Sequence, residues 1–189
     1  MIAYALVSAL VACDGPCDPS APGVICALAG TGEFGFNRDG HPPEETDFYL
    51  LSAVRRGPEG RIYLMDFNNQ RVRRIDDEGL VRTVIGNGFH ALADPTVPAI
   101  DSPLENPVDF AFAPDGALVF TSYHDPRVMR LEADGTLSVV AGTGEIGLRG
   151  VEGDFEDALL AQFNQLDGIA IDDAGAIYVS DSLTHRVRV

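Results

Sequence analysis

Apolar residues along this chain fall in short runs cut by Gly, Pro and Asp, without the three- and four-residue spacing of an amphipathic helix. In the clearest stretch the runs are residues 108–113, 117–122, 127–132 and 136–141, separated by Pro114-Asp115-Gly116, His124-Asp125-Pro126 and Ala133-Asp134-Gly135. Runs of this length, rich in Val, Phe and Leu and joined by Asp-Gly, predict strands linked by tight hairpins. Four in succession predict a four-stranded antiparallel meander.

The pattern is written more than once. GRIYLMDFNNQRVRRIDDEGLVRTVIGNG at residues 60–88 returns as GALVFTSYHDPRVMRLEADGTLSVVAGTG at residues 116–144 and as GAIYVSDSLTHRVRV at residues 175–189. Gly60 to Gly116, Arg71 to Arg127 and Gly86 to Gly142 are each 56 residues apart, and Arg127 to Arg186 is 59. A period of this size means one supersecondary unit that cannot bury its apolar face alone, so that neighbouring copies must stack. The units cover approximately residues 49–86, 106–142 and 165–189. Residues 24–29, which precede Gly30-Thr31-Gly32, match the end of a unit and are expected as a lone outer strand.

Between units run linkers at residues 33–48, 89–106 and 145–165, rich in Gly, Pro and acids. Loops this long in a compact domain carry function or cover an edge. Within the last, residues 155–163 predict a short helix capped by Asp154 that packs Leu159, Leu160 and Phe163.

The run G-x-[IL]-[YV]-[VLF]-x-[DS], followed by R-V-x-R and closed by a hydrophobic strand and A-G-T-G, resembles the NHL repeat. It is most similar to the long bacterial form, with Arg38-Asp39-Gly40-His41-Pro42 and Glu152-Gly153-Asp154 as partial linker motifs. The resemblance covers residues 24–189 and implies an all-β fold, a β-propeller of four-stranded antiparallel blades around a central channel. About three blades make an arc or half-propeller. Either the sequence is a fragment without independent function, or two copies pair their open ends as a homodimer and complete one ring. Propellers of this type serve as adhesion, sensor and scaffold modules, and less often as lyases or lactonases.

Residues 1–13 read as a signal-like segment. The apolar run at residues 2–12 is too short to span a bilayer as a helix, though no Lys or Arg precedes it. Leu10-Val11-Ala12-Cys13 resembles a bacterial lipobox, which implies lipidation of Cys13; a plain cleaved signal and a buried apolar terminus are the alternatives. Residues 14–23, rich in Pro, Gly, Ser and Asp, form a tether, and residues 24–189 are the folded part. With Cys13 lipidated, Cys17 and Cys26 remain as an even pair, either a disulfide in an oxidising envelope compartment or two free thiols.

The formal net charge of −16 disfavours nucleic acid, whose phosphates are met chiefly by Lys and Arg. The tether, the lipobox-like segment and the lack of a catalytic constellation in the repeats lead to the expectation of a protein or glycan partner, with membrane contact only through a lipid anchor. Repetition assigns structural roles to the polar residues of the motif. Asp66 and Asp181 each stand five residues before an arginine, Arg71 and Arg186, across a hairpin, where a charge-assisted hydrogen bond would tie strands together. Ser122 replaces the acid before Arg127.

Arg55 and Arg56 align with Ala111-Phe112 and Ala170-Ile171, placing two arginines in an inner strand. They are the candidate ligand-binding residues, facing the channel to attract an anion or pairing with a linker carboxylate. Both copies of G-x-G-x-x-G, at residues 30–35 and 142–147, fall at a blade boundary without the helix that a dinucleotide site needs. His41, His90, His124 and His185 show no metal-ligand spacing. Neither catalytic residues nor a cofactor or metal site are identified, and the leading reading is a non-enzymatic envelope-anchored scaffold. A propeller enzyme with a metal-dependent site at the channel mouth is the alternative.

Overall fold

The computed structural model describes residues 17, 18 and 20–189; the signal-like segment, Cys13 and part of the tether lie outside the described residues. Three antiparallel sheets follow the repeat. The first holds β1 (Leu51–Arg56), β2 (Ile62–Asp66), β3 (Arg71–Ile75) and β4 (Val81–Ile85) in that spatial order. The second holds β5 (Pro107–Phe112), β6 (Leu118–Ser122), β7 (Val128–Leu131) and β8 (Leu137–Ala141). The third holds β9 (Leu166–Ile171), β10 (Ile177–Asp181) and β11 (Arg186–Arg188). These are blades of an incomplete β-propeller, with β1, β5 and β9 as adjacent inner strands.

Stacking buries what single blades leave open. Tyr63, Met65, Val72 and Ile85 of the first blade meet Phe110, Leu118, Phe120, Met129 and Leu137 of the second. Val119 and Val128 meet Leu166, Ile169 and Val179 of the third. Fully burying a side chain of this kind stabilises by about 1.5–3 kcal/mol, so the clusters shared between blades hold neighbouring copies together.

The hairpin turns repeat one device. Asp76, Asp115, Asp134 and Asp172 each accept a backbone N–H two residues on, and the glycine that follows takes a left-handed φ of +76° to +88°. Their carboxyls lie below the usual range. The first cause is a backbone hydrogen bond from Leu80 for Asp76 and from Ala176 for Asp172, and a side-chain bond from Arg130 for Asp115 and from Thr136 for Asp134.

A depressed folded-state pKa contributes stability that is present above the ordinary carboxylate range and lost as the pH falls. Asp66, pushed upward by burial, acts in the opposite sense, but the turn aspartates outnumber it. The thermal midpoint is therefore expected to drop steadily below about pH 4. A scan from pH 7 to pH 3 that showed a flat midpoint would contradict this assignment.

Each linker contains a single 3-10 turn, at Pro43–Glu45, Ala99–Asp101 and Ala158–Leu160. The glycine closing the preceding strand pattern donates its N–H to the first carbonyl of each turn, Gly30 to Pro43, Gly86 to Ala99 and Gly142 to Ala158, all at 2.9 Å. The G-x-G element thus clasps a linker. The predicted helix at residues 155–163 is only this one turn, capped by Asp157 and not Asp154. Phe155 at a φ of +67° interrupts the helix, Leu159 and Leu160 are exposed, and Phe163 alone joins the core.

Residues 24–29 also depart from expectation. They form no strand, and Ile25 is almost fully exposed. They lie beside the first blade, whose sheet already has four strands, while the β11 edge belongs to the third. Cys17 and Cys26 are joined as a disulfide within this peripheral segment. No helix among the described residues is long and apolar enough to cross a membrane.

Candidate functional site

The ties foreseen between Asp66 and Arg71 and between Asp181 and Arg186 are not made. Adjacent strands place Asp66 directly opposite Arg71, but the Arg71 guanidinium turns outward to the carbonyls of Asn69 and Asn87 and lies 3.8 Å from the centre of the Phe36 ring. Arg73 takes its place. Both Asp66 and Arg73 side chains are 0% exposed, and Arg73 Nη1 reaches Asp66 Oδ2 at 3.1 Å and Nη2 reaches Asp39 Oδ1 at 3.0 Å. Asp66 also accepts the Tyr49 N–H and the Asn69 amide.

In the third blade Arg188 bonds Asp154 at 2.6 Å. Asp181 there accepts the N–H groups of Asn164 and Gln165, leaving Oδ2 without a protein partner. Arg186 bonds the Thr184 carbonyl. Arg127 is fastened to Asp125 through two 2.7 Å bonds and to the Ala93 carbonyl, joining its hairpin to a linker.

The repeat offsets expose a signal that the motif conceals. Asp39, Asp66 and Arg73 correspond to Pro95, Ser122 and Met129 in the second unit, and to Asp154, Asp181 and Arg188 in the third. All three positions change together in the middle unit, where Met129 is core. The charged group is one of two solutions to the same packing problem.

On the inner strands Arg55 Nη2 bonds Asp109 Oδ1 at 2.8 Å. Asp109 Oδ2 accepts the N–H of Ile169 at 3.2 Å, so one carboxylate bridges three blades. The pairing partner is an inner-strand acid and not a linker carboxylate. Arg56 bonds the Gly60 carbonyl within its own hairpin. Arg55 thus braces the first blade against the second, while Arg56 stays within its own hairpin and is exposed.

The linkers present a different surface. Equivalent parallel bridges, Phe34 to Phe48, His90 to Leu104 and Ile146 to Phe163, hold each linker on itself, so corresponding side chains emerge on the same face of successive blades. Phe34 (76% exposed), Phe89 (73%) and Leu148 (80%) stand out there with Leu92 and Ile146. These exposed apolar side chains are carried by linkers that are also rich in acids.

On the same face His90, Glu105 and His124 converge, with His90 Nε2 2.9 Å and His124 Nδ1 3.3 Å from Glu105 Oε1. Histidine spacing in the sequence does not reveal this, because the group forms only when the linker folds back on the β6–β7 turn. An apolar groove of about 700 Å³ also opens beside β11, lined by Val140, Val179 and Val187 among others. At the preceding interface the corresponding space is taken by β8, whose Leu137 joins the core shared by the first and second blades, so the groove continues the interblade core.

Residues 163–189 match the family model of the NHL repeat. Similar solved structures include a protein of unknown function from Bacteroides thetaiotaomicron, at 18% identity and a TM-score of 0.57, covering 68% of this chain and 32% of that one. A putative phosphatase from the same species has 20% identity and a TM-score of 0.58, with coverage of 77% and 35%. An auxiliary nutrient-binding protein from Bacteroides ovatus has 18% identity and a TM-score of 0.55, with coverage of 75% and 36%. The chain spans about a third of the length of each, and the likeness is one of fold. No curated protein matches the chain in sequence.

Proposed function

We propose, from the premise that this is an NHL-repeat chain folded as propeller blades, that it is a non-enzymatic binding module anchored at the cell envelope. The blades form the scaffold and the linker face meets a protein or glycan partner. The observation that carries this reading is the set of exposed apolar side chains on the three linkers, Phe34 and Ile146 at equivalent bridges, and Phe89 and Leu148 within two residues of the bridge residues His90 and Ile146. Side chains buried between blades make the arc rigid, so these groups are presented with little ordering cost on association. The acids of the linkers supply hydrogen-bond acceptors for sugar hydroxyls or for the basic rim of a protein.

The triple variant Phe34→Ser, Phe89→Ser, Leu148→Ser tests the assignment, using a glycan array and affinity retention of envelope proteins side by side. Loss of about 2 kcal/mol or more, at least thirtyfold in affinity, is expected if these residues include the anchors of an interface. Undiminished binding by a folded triple variant would overturn it. Envelope anchoring rests on the lipobox-like segment, and its readout is separate. Palmitate labelling in cells should disappear in Cys13→Ser, and labelling that persists would remove the anchor from the proposal.

A further inference from the structure

We propose that His90, Glu105 and His124 form a three-ligand site for a divalent transition metal of the zinc class. The ligand atoms of the three side chains all lie within 4.8 Å of one another, and both imidazoles approach the same oxygen of one carboxylate. A tetrahedral zinc with bonds of about 2.0–2.1 Å sets its donors roughly 3.3 Å apart. Both imidazoles are over half exposed while Glu105 is largely buried, so two freely turning donors close on a fixed third.

The backbone beneath them is already fastened. His90 sits on the parallel bridge to Leu104, with Ala91 N–H donating to the Leu104 carbonyl and Leu104 N–H to the Phe89 carbonyl, each at 3.2 Å. Tyr123 N–H donates to the Asn106 carbonyl at 2.9 Å, and the Tyr123 ring meets the His124 imidazole edge-on at 4.9 Å. Ligation therefore requires side-chain rotation alone.

A second, independent observation comes from the repeat. The corresponding positions are Phe34, Tyr49 and Asn68 in the first unit and Ile146, Asn164 and Leu183 in the third. In the first unit Phe34 and Tyr49 pack as an aromatic pair, ring centres 5.3 Å apart, in the place where His90 meets Glu105. The position is thus served by apolar or amide side chains elsewhere, and the middle unit alone changes all three to metal-ligating types. Two imidazoles and one carboxylate suit zinc and neighbouring transition metals, whereas calcium and magnesium prefer all-oxygen sets. Three protein ligands leave a fourth position open to water or to a donor from a partner.

The test uses the full chain, dialysed against excess zinc and then against buffer, with metal counted by plasma mass spectrometry and affinity measured by competition with a chromogenic chelator. One zinc per chain is expected, and cobalt in its place should give the strong visible bands of a tetrahedral site. His90→Phe and His124→Asn introduce the residues that the first unit carries, so the fold has a precedent for each. Each, together with Glu105→Gln, should weaken zinc binding at least about a hundredfold, because the bound metal's free energy is shared among few ligands. His41→Ala should bind as the parent does. Absence of stoichiometric zinc in the parent chain, or parental affinity in folded His90→Phe or His124→Asn, would overturn the proposal.

Discussion

Replacing Arg73 with methionine should destabilise the chain by about 3–5 kcal/mol, because it leaves Asp66 as an unpaired charge in a dry interior. The Asp66 and Arg73 side chains are wholly buried, and Asp39 holds the second guanidinium nitrogen. For a chain of this size the loss corresponds to a fall in midpoint of roughly 10 °C. The double variant Asp66→Ser, Arg73→Met installs the second unit's own pair, Ser122 and Met129. It should recover most of the loss, since exchanging a buried ion pair for apolar packing is often neutral or better. Thermal and urea unfolding of the two single variants and the double variant measure the coupling. Equal loss in single and double variants would show that these residues do not act as a unit.

Gly142→Ala should cost about 3 kcal/mol, far more than Gly135→Ala, although both glycines have a left-handed φ, +97° and +82°. A Cβ at Gly142 would stand 2.4 Å from the Pro126 carbonyl oxygen and 3.0 Å from the Arg127 Cα, whereas one at Gly135 would meet nothing within 4 Å. The hairpin glycine carries only the conformational penalty, about 1 kcal/mol. The clasp glycine adds a clash with backbone that cannot move without releasing the Ala158 turn. Urea unfolding of both variants separates the two contributions, and equal losses would remove the close approach from the account.

Much of the blade was legible because its signals are local. Asp-Gly turns, β-branched runs and a constant offset each depend on neighbours in sequence, and the four runs read in the second unit became β5, β6, β7 and β8 within about a residue at each end. The ties were not legible, because choosing Arg73 over Arg71 depends on which strand face a linker covers. Asp39, 34 residues away, decides it. Residues 24–29 carry the strand pattern but lie outside the sheets, since a strand needs a partner as well as a pattern.

The same limit hid the candidate sites. His90 and His124 are 34 residues apart, and no ligand spacing announces them. Comparing the units position by position does, because the second unit breaks the rule of its neighbours at three places that touch. Arg55, also singled out by disagreement between copies, is a brace because its partner in space, Asp109, likewise departs from its own counterparts, Ala53 and Gly168.

The central claim, that the linker face is the working surface and the hairpin turns are only scaffold, is tested most directly by site-specific photo-crosslinking in cells. A photoreactive residue at Phe89 or Leu148 should capture one discrete partner, and the same residue at Asp77, exposed on the β3–β4 turn at the far end of the strands, should capture none. Capture from Asp77 equal to or greater than that from the linker positions would contradict the account.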